Sequence, residues 1–441
     1  MKYFEILRDL TFSRIALAAA CQRFGHYGIR SLLLVYLITH FGLHDRSAGQ
    51  IYGLFYGSFF LTSLLGGLLG DTKLGYRWAG SLGISLMLVA QVLLAVGLLD
   101  GMLAALALYS IGFGLFNPNM NVAVSEHYQG NENLRGAAYT ILYSAINLGA
   151  MLGPLVCGYI ALRTSWRGGF LAGLPFSFIG LMSFGLSARS DKKSNISPDP
   201  DGCHAQRSEE ELQSAVPRKT LVRVLVMLGL LSIVFAGVFD QLGSSVTLLV
   251  HRHVSRTFFS FQMPAGYVQS INPFLVILFG PWLSLMIKQG RLGSTKRSKM
   301  KILAWAFLLL GTGFLLLSIG SLRIGDPGTQ AKVSWLWIIF AILLASFGEL
   351  LFGPTSVSLV AGFAPQKRKG LAMGVWSATI GIGVYLSGSL SGLMSSSGRL
   401  AEFFAISAGG CLLGCVLLMM SLSRLFKHRM VAVNFDPPAL S

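Results

Sequence analysis

"CQRFGHYGIRSLLLVYL", Cys21 to Leu37, sits inside a long apolar run yet carries Gln22, Arg23, His26, Tyr27 and Arg30. An arginine at the centre of a hydrocarbon span costs roughly 2.5–3.5 kcal/mol to insert. Two in one span must therefore face protein or a water-filled cavity rather than lipid. At helical spacing Ala19, Arg23, Tyr27 and Arg30 share one face, as a stripe lining a cavity would.

The rest of the chain shows that the surroundings are a membrane. Of 441 residues 53% are hydrophobic and only 12% charged, against about 25% charged in a soluble domain. Fifty-two glycines fit helices that pack closely in lipid. A span needs about 20 apolar residues. With that window, helices are expected near 15–40, 50–70, 78–99, 103–125, 136–161 and 169–187. Six more follow near 221–250, 264–288, 300–321, 334–361, 370–394 and 400–424. The expected organisation is a six-helix bundle at 1–187, a polar linker at 188–220, a second bundle at 221–425 and a tail at 426–441.

Charge placement gives the orientation. The net charge is +17, but the cations lie in short loops, which points to membrane topology rather than to nucleic acid. With both termini and the linker on one side, that side holds 25 of the 35 Lys and Arg residues and the other 8. By the positive-inside rule the termini and linker are cytoplasmic. Short loops favour a bacterial inner membrane, and a monomer is expected. Five scattered cysteines define neither a disulfide framework nor a metal site, and no cofactor is implied. An enzyme is excluded because no span holds a nucleophile beside a base.

Two six-helix halves joined by a cytoplasmic linker are the plan of a major facilitator fold, all-α with 12 transmembrane helices. "GGLLGDTKLGYR" (Gly66–Arg77) resembles that superfamily's loop signature, which implies that Asp71 latches onto the opposite half. Ionisable residues inside spans are functional candidates. Besides helix 1 these are Asp240 in helix 7 and Glu349 in helix 10, with Asn117, Asn147 and Asn272 adding uncharged polarity.

"QRFGHYGIR" resembles the helix 1 signature of the proton-dependent oligopeptide transporters, Glu-x-x-Glu-Arg-Phe-x-Tyr-Tyr-Gly. "YTILYSAINLGAMLGPLVCGY" (from Tyr139), "FDQLGSSVTLLVHRHV" (from Phe239), "PAGYVQSINPFLVILFGP" (from Pro264), "GELLFGPTSVSLVAGFAP" (from Gly348) and "MGVWSATIGIGVYLSG" (from Met373) are similar to further family segments, in family order. The resemblance implies that Arg23 receives a peptide carboxylate and that Glu349 takes the amino terminus, assisted by Asn147 and Asn272. It implies that Tyr27 and Trp376 line the pocket, and that Arg30 and Asp240 form a protonation-sensitive salt bridge between the halves.

The departures bear on coupling. Both helix 1 glutamates are replaced, by Ala19 and Gln22, and Asn117 stands where the family has lysine. Losing the acids and the base together leaves no stranded charge. His26 replaces a tyrosine and is either a substitute proton site or a structural hydrogen-bonder. Phe60 stands where many relatives have a pocket tyrosine. The expected function is import of di- or tripeptides, or similar small zwitterions, by alternating access. A non-standard route for protons, an uncoupled facilitator, a carrier of another small solute and a non-transporting receptor stay open. The expected partners are a small-molecule substrate, protons and membrane lipids, with no nucleic acid.

Overall fold

The computed structural model describes residues 6–72, 75–97, 99–189, 218–258, 260–289, 293, 295–322, 324, 332–364, 369–395 and 399–427. Most of the expected linker and tail lies outside these residues. The spanning helices of the first half are α1 (Leu10–Thr39), α2 (Asp45–Gly70), α3 (Gly75–Val96), α4 (Leu99–His127), α5 (Glu132–Arg163) and α6, in two pieces, Trp166–Leu171 and Leu174–Arg189. The second half holds α7 (Arg218–Phe239, continuing through a 3-10 turn at Asp240–Leu242 into Ser245–His253) and α8 (Val268–Lys288). It is completed by α9 (Lys296–Gly320), α10 (Trp335–Phe363), α11 (Lys369–Ser395) and α12 (Leu400–Lys427).

Eleven of the twelve are long and apolar enough to cross a membrane on their own composition. The twelfth is α1, 30 residues long and interrupted by Arg14, Arg23 and Arg30. Its polar stripe is tolerated because neighbouring helices surround it. The protein is a multi-pass membrane protein with two six-helix halves. Two features differ from the expected uninterrupted spans. The α6 helix is broken at Ala172–Gly173, and α7 is broken beside Asp240. A short antiparallel hairpin, β1 (Thr257–Phe258) and β2 (Phe261–Gln262), also precedes α8.

Each half has its own core. One is built on Tyr52, Phe59, Tyr109 and Phe116, the other on Phe235, Phe307, Phe314 and Phe352. Leu248 of α7 and Val384 of α11 belong to the first core, so the halves interlock. They do so at the end opposite α1's start and α12's finish, called here the distal end. There Gly49, Gly53 and Gly57 of α2 meet Gly381, Gly388 and Gly392 of α11 backbone to backbone. A Cβ on Gly388 would lie 2.5 Å from Gly53 Cα and 2.6 Å from the Gly49 carbonyl oxygen. Small residues permit this approach, which supplies dispersion where lipid offers no hydrophobic drive. A hydroxyl bond from Ser270 (α8) to the Met151 carbonyl (α5), 2.8 Å, closes the opposite flank.

At the terminal end Asp9 fastens α1. Its Oδ1 accepts the N–H groups of Thr11 and Phe12 at 3.0 and 3.2 Å, an N-cap. Its Oδ2 meets His127 Nε2 at 2.6 Å and accepts the Tyr128 hydroxyl at 3.3 Å, tying α1 to the end of α4. The His127 contact and the two backbone N–H groups outweigh burial and hold the Asp9 carboxyl below its ordinary 3.8.

Two outcomes are expected. Gly388→Val should force α2 from α11, costing about 1–3 kcal/mol as overpacking does, read as a lower melting temperature in detergent. The Asp9 pKa is lower folded than unfolded, so its contribution is complete above the unfolded value and lost as pH falls through the folded one. Acidification below pH 3.8 should therefore lower the wild-type melting temperature more than that of Asp9→Asn.

Candidate functional site

Arg23, Tyr27 and Arg30 are partly buried along one side of α1. Arg23 Nη2 donates to Asn117 Oδ1 of α4 at 2.7 Å, and its guanidinium lies over the Phe113 ring, 4.8 Å from the centroid. Thus Asn117, the residue in place of the family's lysine, is the direct partner of the α1 arginine. The two replaced acids turn elsewhere. Ala19 is buried in the first core, and Gln22 directs its amide at the Met87 sulfur, 3.5 Å away.

Arg30 donates through Nη2 to Asp240 Oδ1 and through Nε to the Tyr52 hydroxyl at 3.1 Å. The rings of Tyr27 and Tyr56 flank its guanidinium at 5.6 and 5.2 Å. The break in α7 makes this possible. A Cβ at Gly243 would sit 2.6 Å from Arg30 Nη2, so only glycine leaves room for the arginine head. The pair joins α1 to α7 across the halves, with side chains 16% and 8% exposed. Removing one partner of such a pair strands a buried charge at about 3–5 kcal/mol.

On the second half, Glu349 of α10 accepts from Asn272 Nδ2 at 2.8 Å, and the same amide reaches Ser346 Oγ at 3.0 Å. Asn272 therefore orients Glu349. Two other candidates are differently engaged. Asn147 turns its amide onto its own helix, at the Tyr143 carbonyl 2.8 Å away. Trp376 donates its indole N–H to Ser232 of α7 at 2.9 Å while its ring packs against the second core. Its polar atom is therefore committed to α7, and what remains for a pocket is ring surface. Phe60 packs against Gly381 of α11. Asp71 is exposed at the end of α2, and its carboxylate pairs with no described residue.

His26 lies beside this stripe, and three of its ring neighbours, Phe113, Tyr27 and Tyr56, also lie against the Arg23 and Arg30 guanidiniums. It is buried, and five rings (Tyr27, Tyr56, Phe59, Tyr109, Phe113) surround it at centroid distances of 5.0–6.1 Å. Its Nδ1 has no hydrogen-bond partner among the described residues.

Sequence reasoning missed Tyr143 of α5, half-exposed and within electrostatic reach of Glu349 and Tyr27. It also missed a second salt bridge between the halves. Arg252 (α7) grips Asp45 (α2) bidentately at 2.7 and 2.6 Å. Asp45 and Arg252 are 207 positions apart and sit where loop charges normally collect, so no local pattern pairs them.

The charge balance of the interior is simple. Arg30 and Asp240 neutralise each other, whereas Arg23 and Glu349 are held by neutral amides. One guanidinium on the first half and one carboxylate on the second are left without an ionic partner among the described residues. This arrangement suits a zwitterion: guanidinium for carboxylate and carboxylate for ammonium.

The sequence profile of the Major Facilitator Superfamily matches residues 15–323 and 290–429. The chain belongs to that superfamily, one of membrane transporters and not of enzymes. Relatives by sequence are peptide transporters. One is "Peptide transporter YePEPT" of Yersinia enterocolitica subsp. palearctica, 25% identical over 94% of this chain and 95% of that protein. Another is "Dipeptide and tripeptide permease A" of Escherichia coli K12, 23% identical over 85% of this chain and 82% of that one. Among solved structures, a POT family transporter in complex with 5-aminolevulinic acid has a TM-score of 0.80 at 20% identity. That match covers 94% of this chain and 96% of the other. It establishes the fold.

The two inter-half salt bridges should differ in weight. Asp240→Asn strands a buried guanidinium and should cost about 3–5 kcal/mol. Asp45→Asn opens a pair whose arginine is 31% exposed, with an expected cost of about 0.2–1 kcal/mol. Melting of both variants beside wild type checks the ranking.

Proposed function

We propose that this protein carries di- and tripeptides, or zwitterions of similar size, across a bacterial inner membrane by alternating access. The observation that carries this reading is the unmatched pair, Arg23 on the first half and Glu349 on the second. A peptide's two ends would supply the missing partners, and its binding would draw the halves together. The peptide-transporter names of the relatives support the same substrate class.

The terminal end, with 25 of 35 cations, is read as cytoplasmic. The distal end, sealed by the α2–α11 glycines, Arg30–Asp240 and Arg252–Asp45, then faces outward, and the conformation is inward-facing. Asp71 would engage the opposite half when the terminal end closes. The chain is read as a monomer, its halves joined by the linker at 188–220.

For protons, Glu349 and Asp240 are the carriers in this reading. His26 is not, because a charged imidazole there would lie between Arg23 and Arg30 on its own helix with no acid beside it. A second reading, the uncoupled facilitator, is favoured by one observation: the positions where the family clusters charge are neutral here, Ala19, Gln22 and Asn117, and Arg23 donates to the Asn117 amide.

Uptake of labelled dialanine into liposomes, with and without an inward proton gradient, tests both. Accumulation above equilibrium that collapses with an ionophore supports coupling. Saturable equilibration supports the facilitator, and no uptake rejects peptide transport. Arg23→Gln should lower dialanine affinity by about 1.5–3 kcal/mol, roughly ten- to hundredfold, as a lost charged hydrogen bond does. Carboxyl-amidated dialanine should lose as much on the wild type. If uptake is coupled, Glu349→Gln should abolish the gradient response and His26→Gln should retain it.

A further inference from the structure

The α7–α8 connection folds over the distal end and docks on the other half. Phe261 of β2 stacks on Tyr159 of α5 at 6.4 Å, and Gly158 lies against Tyr267 and Pro264. Between this connection and the first half is a cavity of about 290 Å³. That is near the lower end of the range for small-molecule pockets, about 300–1,000 Å³. Val35 of α1, Leu162 of α5 and Trp166 of α6 form its apolar walls, with His251 and Arg256 from the second half. It shares no residue with the Arg23–Glu349 site.

Arg256 makes the cavity more than a packing gap. Its Nη1 donates to the Met263 carbonyl at 3.1 Å, and the Met263 N–H returns to the Arg256 carbonyl at 2.7 Å. Both ends of the residue are thereby fixed at the base of the hairpin. Among the described residues no acid pairs with it. The nearby acid Asp45 is held by Arg252, and burial alone acts on the Arg256 guanidinium, pushing its pKa down. Trp166 is steadied by Tyr36, whose ring centre is 5.5 Å away. A positioned, uncompensated cation therefore faces an apolar chamber with an aromatic wall. Its missing counterpart is an anion with an apolar body.

We propose that this distal cavity is a second ligand site, for a small carboxylate bearing an apolar or aromatic group. The ligand binds only while the distal end is closed, because each half supplies part of the wall. Such a ligand favours the closed state by its whole affinity, since the open state offers it no site. It would act as a conformational brake on the carrier from outside the transport pathway.

Phenylacetate is the probe, phenethylamine its cationic counterpart, and the melting temperature of the purified full chain the readout. Phenylacetate should raise the melting temperature of wild type and of Arg23→Gln by several degrees at saturation, and phenethylamine should not. Arg256→Gln should lose that shift. So should Leu162→Trp, which fills the cavity from α5 and decides the matter if Arg256→Gln does not fold. Spin labels on Thr39→Cys and Ser255→Cys, with Cys203→Ser, should report a narrower, shorter distance with phenylacetate. An equal shift in wild type and Leu162→Trp, a shift lost in Arg23→Gln, no shift in wild type, or an unchanged label distance would each overturn the proposal.

Discussion

The Arg30–Asp240 pair is the constraint around which the rest is arranged. A guanidinium in the membrane interior is costly to leave unpartnered, and the carboxylate that pairs with Arg30 lies on the other half of the molecule. Several otherwise odd features serve that meeting. The α7 helix gives up regular hydrogen bonding at Asp240, Gly243 has no side chain to obstruct the arginine, and Tyr52, Tyr56 and Tyr27 surround it with polarisable rings. Because each partner belongs to a different bundle, the cost of exposing the pair resists separation of the bundles at that end.

Closure is then completed by contacts of another kind. Glycines bring the α2 and α11 backbones together, and this dispersion contact requires only the absence of side chains. The Asp45–Arg252 bridge adds a more exposed link. A buried ion pair gives specificity of register, a glycine seam gives area, and a rim bridge is readily broken by water. Together they form a seal whose layers differ in how easily they open.

The Arg23 environment shows how a charged cluster can be rebuilt without charge. Asn117 offers a carbonyl oxygen where a lysine would have offered a second cation, and the Phe113 ring supports the guanidinium from its face. Ala19 and Gln22 turn into the first core. The arginine stays in place while remaining ionically unmatched, and that pairs it chemically with Glu349 on the other half. His26, read from the sequence as either a proton site or a hydrogen-bonder, lies in an aromatic cage with its Nδ1 unpartnered.

The twelve spans, their division into halves and the residues Arg23, Arg30, Asp240 and Glu349 were legible in the sequence, because lipid imposes simple rules. A span must be long and apolar, and each ionisable residue inside it stands out against that background. Resemblance in six ordered segments added the pairing of Arg30 with Asp240. Tertiary structure alone decided what the polar side chains touch. It turned Asn147 onto its own backbone, Trp376 onto Ser232 and Asn272 onto Glu349, and it joined Asp45 to Arg252. It also broke α6 and α7 and folded a hairpin over the distal end. Hydropathy records which residues leave water but not the rotation of one helix against another. The position of a hydrogen bond depends on that rotation, and the packing of all twelve helices sets it.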